Sequence, residues 1–105
     1  MARNITKSDR RRNIWQKSNG VCAHCGKVIY GHNQTIDHFI PKALGGTFDA
    51  RNLMPLCREC NKTRSSKAIN PSLFYKYAKK EAIMDCLAYK KEWRMEHRNA
   101  LGELL

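Results

Sequence analysis

The pattern of polar and apolar positions changes character along this chain. Residues 7–18 are mostly polar, with Ile14 and Trp15 as the main apolar positions. Thr6-x-x-Asp9 has the spacing of a capping box ahead of this stretch and Gly20 stands behind it as a stop, so a helix is predicted over residues 7–18. Over residues 71–101 the apolar positions Leu73, Phe74, Tyr77, Met84, Leu87, Ala88 and Met95 recur at helical intervals, after Asn70 as N-cap and Pro71 at the first helical position. Lys79-Lys80-Glu81 interrupts that stripe, and the pattern fits either one long helix or two. Between the flanks, residues 27–30 and 35–40 are short and rich in β-branched or aromatic side chains, separated by Gly31-His32-Asn33, which predicts a small hairpin. No internal repeat interrupts this order.

Length and charge sharpen the picture. A chain of 105 residues is one domain's worth of polypeptide, and its core is small enough that a covalent or metal staple would help. Its formal charge of +11 is uneven: residues 1–20 hold six basic and one acidic residue, 21–61 four and three, and 62–105 ten and five. A basic excess flanking a nearly balanced centre points first to nucleic acid as partner. An anionic membrane is disfavoured, since the chain has no run of about 18 apolar residues and its opening residues lack the hydrophobic stretch of a secretory signal. A cytoplasmic protein without a membrane partner is the expectation.

The centre also carries four of the five cysteines. Cys22-x-x-Cys25 and Cys57-x-x-Cys60 are identically spaced pairs with 31 residues between them, and each can occupy adjacent corners of a tetrahedron. Structural zinc is the expectation, with a pair of disulfides as the less favoured alternative in a cytoplasmic chain. Four cysteines close the coordination sphere and leave no position for substrate, so this zinc would hold structure only. Four thiolates and one zinc ion together contribute a charge of about −2, which leaves the domain strongly basic. Cys86, outside the pairs, reads as a small buried hydrophobe.

Within this frame, Asp37-His38-Phe39-Ile40-Pro41, then Gly45-Gly46, Asn52-Leu53, and Leu56-Cys57-Arg58-Glu59-Cys60-Asn61 with Arg64, resemble the motif of the HNH endonucleases. The resemblance covers residues 21–66 and is specific, because the cysteine frame, the Asp-His pair, the glycine pair and the Asn-Leu must all occur in order. It implies an α+β fold: a small ββα-metal (HNH) finger stapled by the four-cysteine zinc site and flanked by N-terminal and C-terminal α-helices. Residues 1–105 would then form a single domain, with its helix at 7–18, its core at 21–66 and a helical segment at 71–101. The resemblance also implies that residues 57–65 are helical, with Cys57, Asn61 and Arg64 on one face. Many members have histidine where this chain has Asn61, which substitutes an oxygen donor for a nitrogen and makes the site harder.

The chemistry of these residues is compatible with that activity. Hydrolysis of a phosphodiester needs a water to attack phosphorus while the leaving oxygen departs on the opposite side, so base and metal must stand apart. His38, with an unperturbed pKa of about 6.5, can be the base. Asp37 and Asn61 offer hard oxygens suited to magnesium or manganese, and neighbouring residues on a strand point to opposite faces, which separates Asp37 from His38. By resemblance, Asn52 braces the loop that orients His38, and Arg64 reaches the phosphate. Arg10, Arg11, Arg12, Lys62 and Lys67 are the candidates for DNA backbone contact, while His24, His32 and His97 read as structural or exposed. The expected activity is metal-dependent cleavage of DNA. Two alternatives stay open: a non-catalytic zinc module that binds nucleic acid or protein, and a nuclease active only within an assembly. The second follows because similar small HNH proteins are often encoded by bacteriophages beside their DNA-packaging machinery, which makes packaging proteins candidate partners.

Overall fold

The first helix begins as its capping residues dictate. The Thr6 hydroxyl accepts the Asp9 N–H at 3.1 Å and the Asp9 carboxylate accepts the Thr6 N–H at 3.4 Å, opening α1 (Lys7–Lys17). The computed structural model describes residues 6–64 and 72–97. Ile14 is the buried residue of α1, whereas Trp15 lies at the surface with its indole N–H donating to the Ile29 carbonyl at 2.9 Å. Gly20, at φ 83°, ends the entry to the centre, and a side chain there would strike the Trp15 ring.

The sheet is a pair of antiparallel strands, β1 (Gln34–His38) and β2 (Leu53–Cys57), in the register Gln34↔Cys57 through His38↔Leu53. This corrects the predicted hairpin. Residues 27–30 do not pair with β1. Instead the chain doubles back around the first cysteine pair, with the Cys22 N–H on the Lys27 carbonyl and the Ile29 N–H on the Gly20 carbonyl, both at 2.8 Å, and Val28 forms only an isolated bridge to Val21. The true partner, β2, contains Pro55, a residue that argues against a strand when only the sequence is considered. Its carbonyl accepts the Ala23 N–H at 3.0 Å on the edge remote from β1. Since the nitrogen and carbonyl of one strand residue point the same way, the missing Pro55 N–H falls on that outer edge and the ladder to β1 loses nothing.

The outer edge of β2 is covered from α1. The Lys17 ammonium donates to the Leu53 carbonyl at 3.0 Å and to the Ala50 carbonyl, and burial lowers the Lys17 pKa despite the carboxylates of Asp85 and Asp49 nearby. Met54 and Leu56 point to the core, where they meet Cys22, Ala23, Ile29, Ala82, Cys86 and the fully buried Phe74. Phe39 and Tyr75 approach Phe74 edge to face, with centroids 4.9 and 5.9 Å away.

Helix α2 (Arg58–Arg64) follows β2 directly, and Cys57 is the last strand residue rather than the first of a helix beginning at 57. The C-terminal flank divides into α3 (Ser72–Tyr77) and α4 (Lys80–Glu96), while Asn70 and Pro71 lie outside the described residues. The division falls at Lys79, whose N–H donates to the Lys17 carbonyl at the end of α1 at 2.8 Å. That break resets the helical phase. The buried residues of α4 are Ala82, Cys86 and Tyr89, whereas Met84, Leu87 and Met95 of the predicted stripe are exposed. Among the described residues no helix is long and apolar enough to cross a membrane.

Phe74 joins the last helices to the sheet, and its N–H also donates to the Ala23 carbonyl at 3.1 Å. Phe74→Ala is expected to destabilise the fold by about 3–5 kcal/mol, measured by chemical denaturation of the zinc-loaded protein.

Candidate active site and metal centre

The two cysteine pairs converge. The sulfurs of Cys22, Cys25, Cys57 and Cys60 all lie within 4.8 Å of one another, and the Cys25 and Cys57 sulfurs are 3.9 Å apart. A tetrahedral zinc with Zn–S bonds of about 2.3 Å places its sulfurs about 3.8 Å apart, so both donor type and spacing fit zinc. Backbone geometry prepares the ligands. The Cys60 N–H points at the Cys57 sulfur at 3.4 Å, and Gly26, at φ 76°, donates its N–H to the Cys22 carbonyl at 3.0 Å to close the first turn. Burial opposes ionisation of Cys22, but N–H groups of Cys25, Cys57 and His24 outweigh it and lower its pKa. Burial and the neighbouring Cys57 and Cys25 sulfurs push the Cys60 thiol strongly upward. A cation would reverse that penalty, because four ionised sulfurs at this separation repel one another.

On the other side of β2, the chain from His38 to Asn52 forms a loop built around one amide. Asn52 is fully buried: its Oδ1 accepts the Ile40 N–H at 2.9 Å, and its Nδ2 donates to the Ile40 carbonyl at 3.1 Å and the Thr47 carbonyl at 3.0 Å. The ladder continues one step past β1, with the Phe39 N–H on the Asn52 carbonyl at 2.8 Å. Gly46 donates to the Pro41 carbonyl at 3.0 Å, and a Cβ there would stand 1.7 Å from the Ile40 carbonyl oxygen, so this position admits glycine alone. Helix α4 secures the outside of the loop. The Tyr89 hydroxyl accepts the Thr47 N–H at 3.0 Å, the Trp93 indole donates to the Leu44 carbonyl at 2.8 Å, and Arg51 bridges Asp49 and Glu92. Arg51 lowers the pKa of both carboxyls by hydrogen bonding to them.

His38 ends β1 and is buried, and its ring meets that of Phe48 at right angles with centroids 4.8 Å apart. The Asp37 carboxylate accepts the His38 N–H at 2.7 Å. Asn61 lies one helical turn beyond Cys57 on α2, which packs against β1, so the elements bearing Asp37 and Asn61 are neighbours. Arg64 closes α2, and Lys62 is exposed on it; the Arg64 side chain and the whole of Lys67 lie outside the described residues.

The arginine run divides by role. Arg11 donates to the Gly31 and Gln34 carbonyls at 2.9 and 3.1 Å and receives the Gln34 amide on its own carbonyl at 2.8 Å, which ties α1 to β1. Its guanidinium is thus engaged with the fold, whereas Arg10 and Arg12 are exposed. His97 stacks on Trp93 and His32 on Tyr30. Sequence reasoning passed over Phe48 and Lys42. Both lie in the glycine-marked loop, and an aromatic residue close behind the glycine pair was the available signal.

A sulfur-stapled strand–loop–strand–helix unit with an Asp-His pair closing its first strand defines a ββα-metal finger. Residues 22–71, a little under half of the chain, match the family model described as HNH endonuclease, and this segment is similar to that family. The CRISPR-associated endonuclease Cas9 of Corynebacterium diphtheriae is 32% identical over 69 residues, covering 60% of this chain and 6% of that protein. The CRISPR-associated endonuclease Cas9 of Actinomyces naeslundii is 27% identical over 89 residues, covering 79% of this chain and 8% of that protein. The chain therefore spans less than a tenth of the length of these relatives.

Cys57→Ser or Cys60→Ser is expected to lower bound zinc and the thermal midpoint together, because the ion's binding energy is part of the folding energy. Metal content by elemental analysis alongside calorimetry measures this. A single-cysteine variant that kept one zinc per chain and an unchanged midpoint would exclude the structural role.

Proposed function

We propose that this chain is a metal-dependent nuclease that hydrolyses DNA phosphodiester bonds, with His38 as general base. The observation that carries the reading is the loop closed by Asn52, which presents His38 at the end of β1 inside a segment matching a nuclease family. In the reaction His38 takes a proton from water as the water oxygen bonds to phosphorus, the bond from phosphorus to the leaving oxygen breaks, and that oxygen acquires a proton from solvent. Asn52 holds the loop backbone and thereby the imidazole; it is a positioning residue. Asp37 and Asn61 are the oxygen donors that would hold magnesium or manganese, whose chemistry when bound is to offset charge on the leaving oxygen. Arg64 is assigned to the phosphate, with Arg10, Arg12, Lys62 and Lys67 to the DNA backbone. The burial of His38 against Phe48 at the end of β1 supports a reacting centre over a purely structural zinc module. Phage DNA-packaging proteins remain a partner proposal resting on the sequence resemblance.

Purified zinc-loaded protein is expected to nick supercoiled plasmid when magnesium or manganese is added. His38→Ala should cut about 10²–10⁴-fold more slowly while keeping its zinc content and DNA affinity. Parallel loss of cutting and binding would assign His38 to contact or structure instead.

Metal choice tests Asn61 separately. Asn61→His is expected to move the preference toward nickel and cobalt, because imidazole nitrogen favours those ions over magnesium. An unchanged order of metals, measured as nicking rates across the series, would remove Asn61 from the ligand set.

A further inference from the structure

The loop beside His38 carries a cluster that the motif residues leave unused. Phe48 is 53% exposed although its ring lies against the buried imidazole. Two cations from different elements converge on that ring: the Lys42 ammonium stands 4.8 Å from its centroid and the Arg10 guanidinium 6.0 Å. Lys42 belongs to the short turn Lys42–Leu44 inside the loop, and Arg10 comes from α1, outside the segment that matches the family model. Lys27 pairs with Glu59 and Arg51 with Asp49 and Glu92, whereas no carboxylate among the described residues is paired with Lys42 or Arg10.

An aromatic face attracts a cation and lowers the cost of holding two near each other, yet it removes none of their charge. The pair remains a site of concentrated positive potential one ring away from the imidazole, and an anion is the ligand that completes it. Phe48 has two physical tasks in this arrangement. It packs the edge of His38, and it keeps the long Lys42 and Arg10 side chains from spreading into solvent.

We propose that Lys42 and Arg10, gathered on Phe48, bind a backbone phosphate of the nucleic-acid strand next to the one that reacts at His38, and so fix the register of the strand. This rests on the nuclease reading for the identity of the strand, while the phosphate site itself is independent of cleavage. Lys42 and Arg10 touch substrate; Phe48 acts through them and through the His38 ring it packs against.

The test uses the full zinc-loaded chain and a fluorescent DNA duplex. Affinity is measured by anisotropy across a salt series without added magnesium or manganese, and cleavage separately at saturating DNA with magnesium. Lys42→Gln and Arg10→Gln should each reduce the slope of log affinity against log salt by about one, the mark of one lost phosphate contact. Lys91→Gln, the same loss of charge at an exposed position on α4, sets the baseline. Phe48→Leu keeps both charges and should leave the slope near wild type, but slow cleavage at saturating DNA by about 10–10²-fold because neither the cations nor the His38 ring is then held in place. Zinc content and melting temperature verify that each variant is folded.

Slopes for Lys42→Gln and Arg10→Gln equal to that of Lys91→Gln would overturn the phosphate site. Wild-type cleavage rates in Phe48→Leu would overturn the role of the ring. If wild type fails to cut while the two slopes still fall, the nuclease reading is lost and the phosphate site stands. Cutting by wild type with unchanged slopes removes the phosphate site alone.

Discussion

Four sulfurs within 4.8 Å of one another are the constraint on which the rest of this molecule depends. They join the turn at residues 22–25 to the junction of β2 and α2, elements separated by some thirty residues of chain. Once that junction is held, β2 is placed for β1 to pair with it, and α2 must leave the sheet in a fixed direction. A domain of this size has few other means to define such a junction, since the apolar core is small. The core residues Cys22 and Cys57 are themselves members of the cluster, so the sulfur cluster and the hydrophobic centre are one body. The placement of Asn61 relative to the Asp37 strand inherits its precision from the sulfurs.

A second constraint acts on the opposite end of the sheet. The loop between the strands contains many backbone polar groups and little regular structure, and one buried amide satisfies several of them at once. Asn52 binds both the N–H and the carbonyl of Ile40 and reaches across to Thr47. Replacing it by a residue with fewer donors would leave buried backbone groups without partners, a larger cost than the loss of the bonds themselves. Helix α4 adds a brace from outside the family segment through Tyr89, Trp93 and Glu92. The loop beside His38 is therefore held from within by the finger and from without by the C-terminal flank.

The basic residues divide in the same way between fold and surface. Arg11 satisfies carbonyls at Gly31 and Gln34, and Lys17 satisfies that of Leu53 on the outer edge of β2 and that of Ala50 just before it. These cations work as polyvalent donors that cover open backbone, a task for which long, strongly donating side chains are suited. Arg10 and Lys42 instead converge on an aromatic ring at the surface. A high net charge thus conceals different uses, and only the contacts tell them apart.

What the sequence by itself determined was set by short-range chemistry. The Thr6–Asp9 capping box, the paired Cys-x-x-Cys spacing, the glycine pair and the Asp-His dipeptide all act within a few residues, so their consequences can be read without knowing where the rest of the chain lies. The tertiary structure decided which strand joined β1, because Pro55 is excluded from a ladder only if its nitrogen faces the partner, and that orientation depends on Ala23 and β1 together. It also decided the buried face of α4. The stripe drawn through residues 73–95 assumes a continuous helical phase, whereas the Lys79 N–H turns to the end of α1 and restarts the helix with Ala82, Cys86 and Tyr89 inward. The surroundings of Phe48 were likewise decided by folding, because the cation that joins Lys42 on its ring, Arg10, comes from α1, remote in sequence from the loop that carries Phe48, Lys42 and His38.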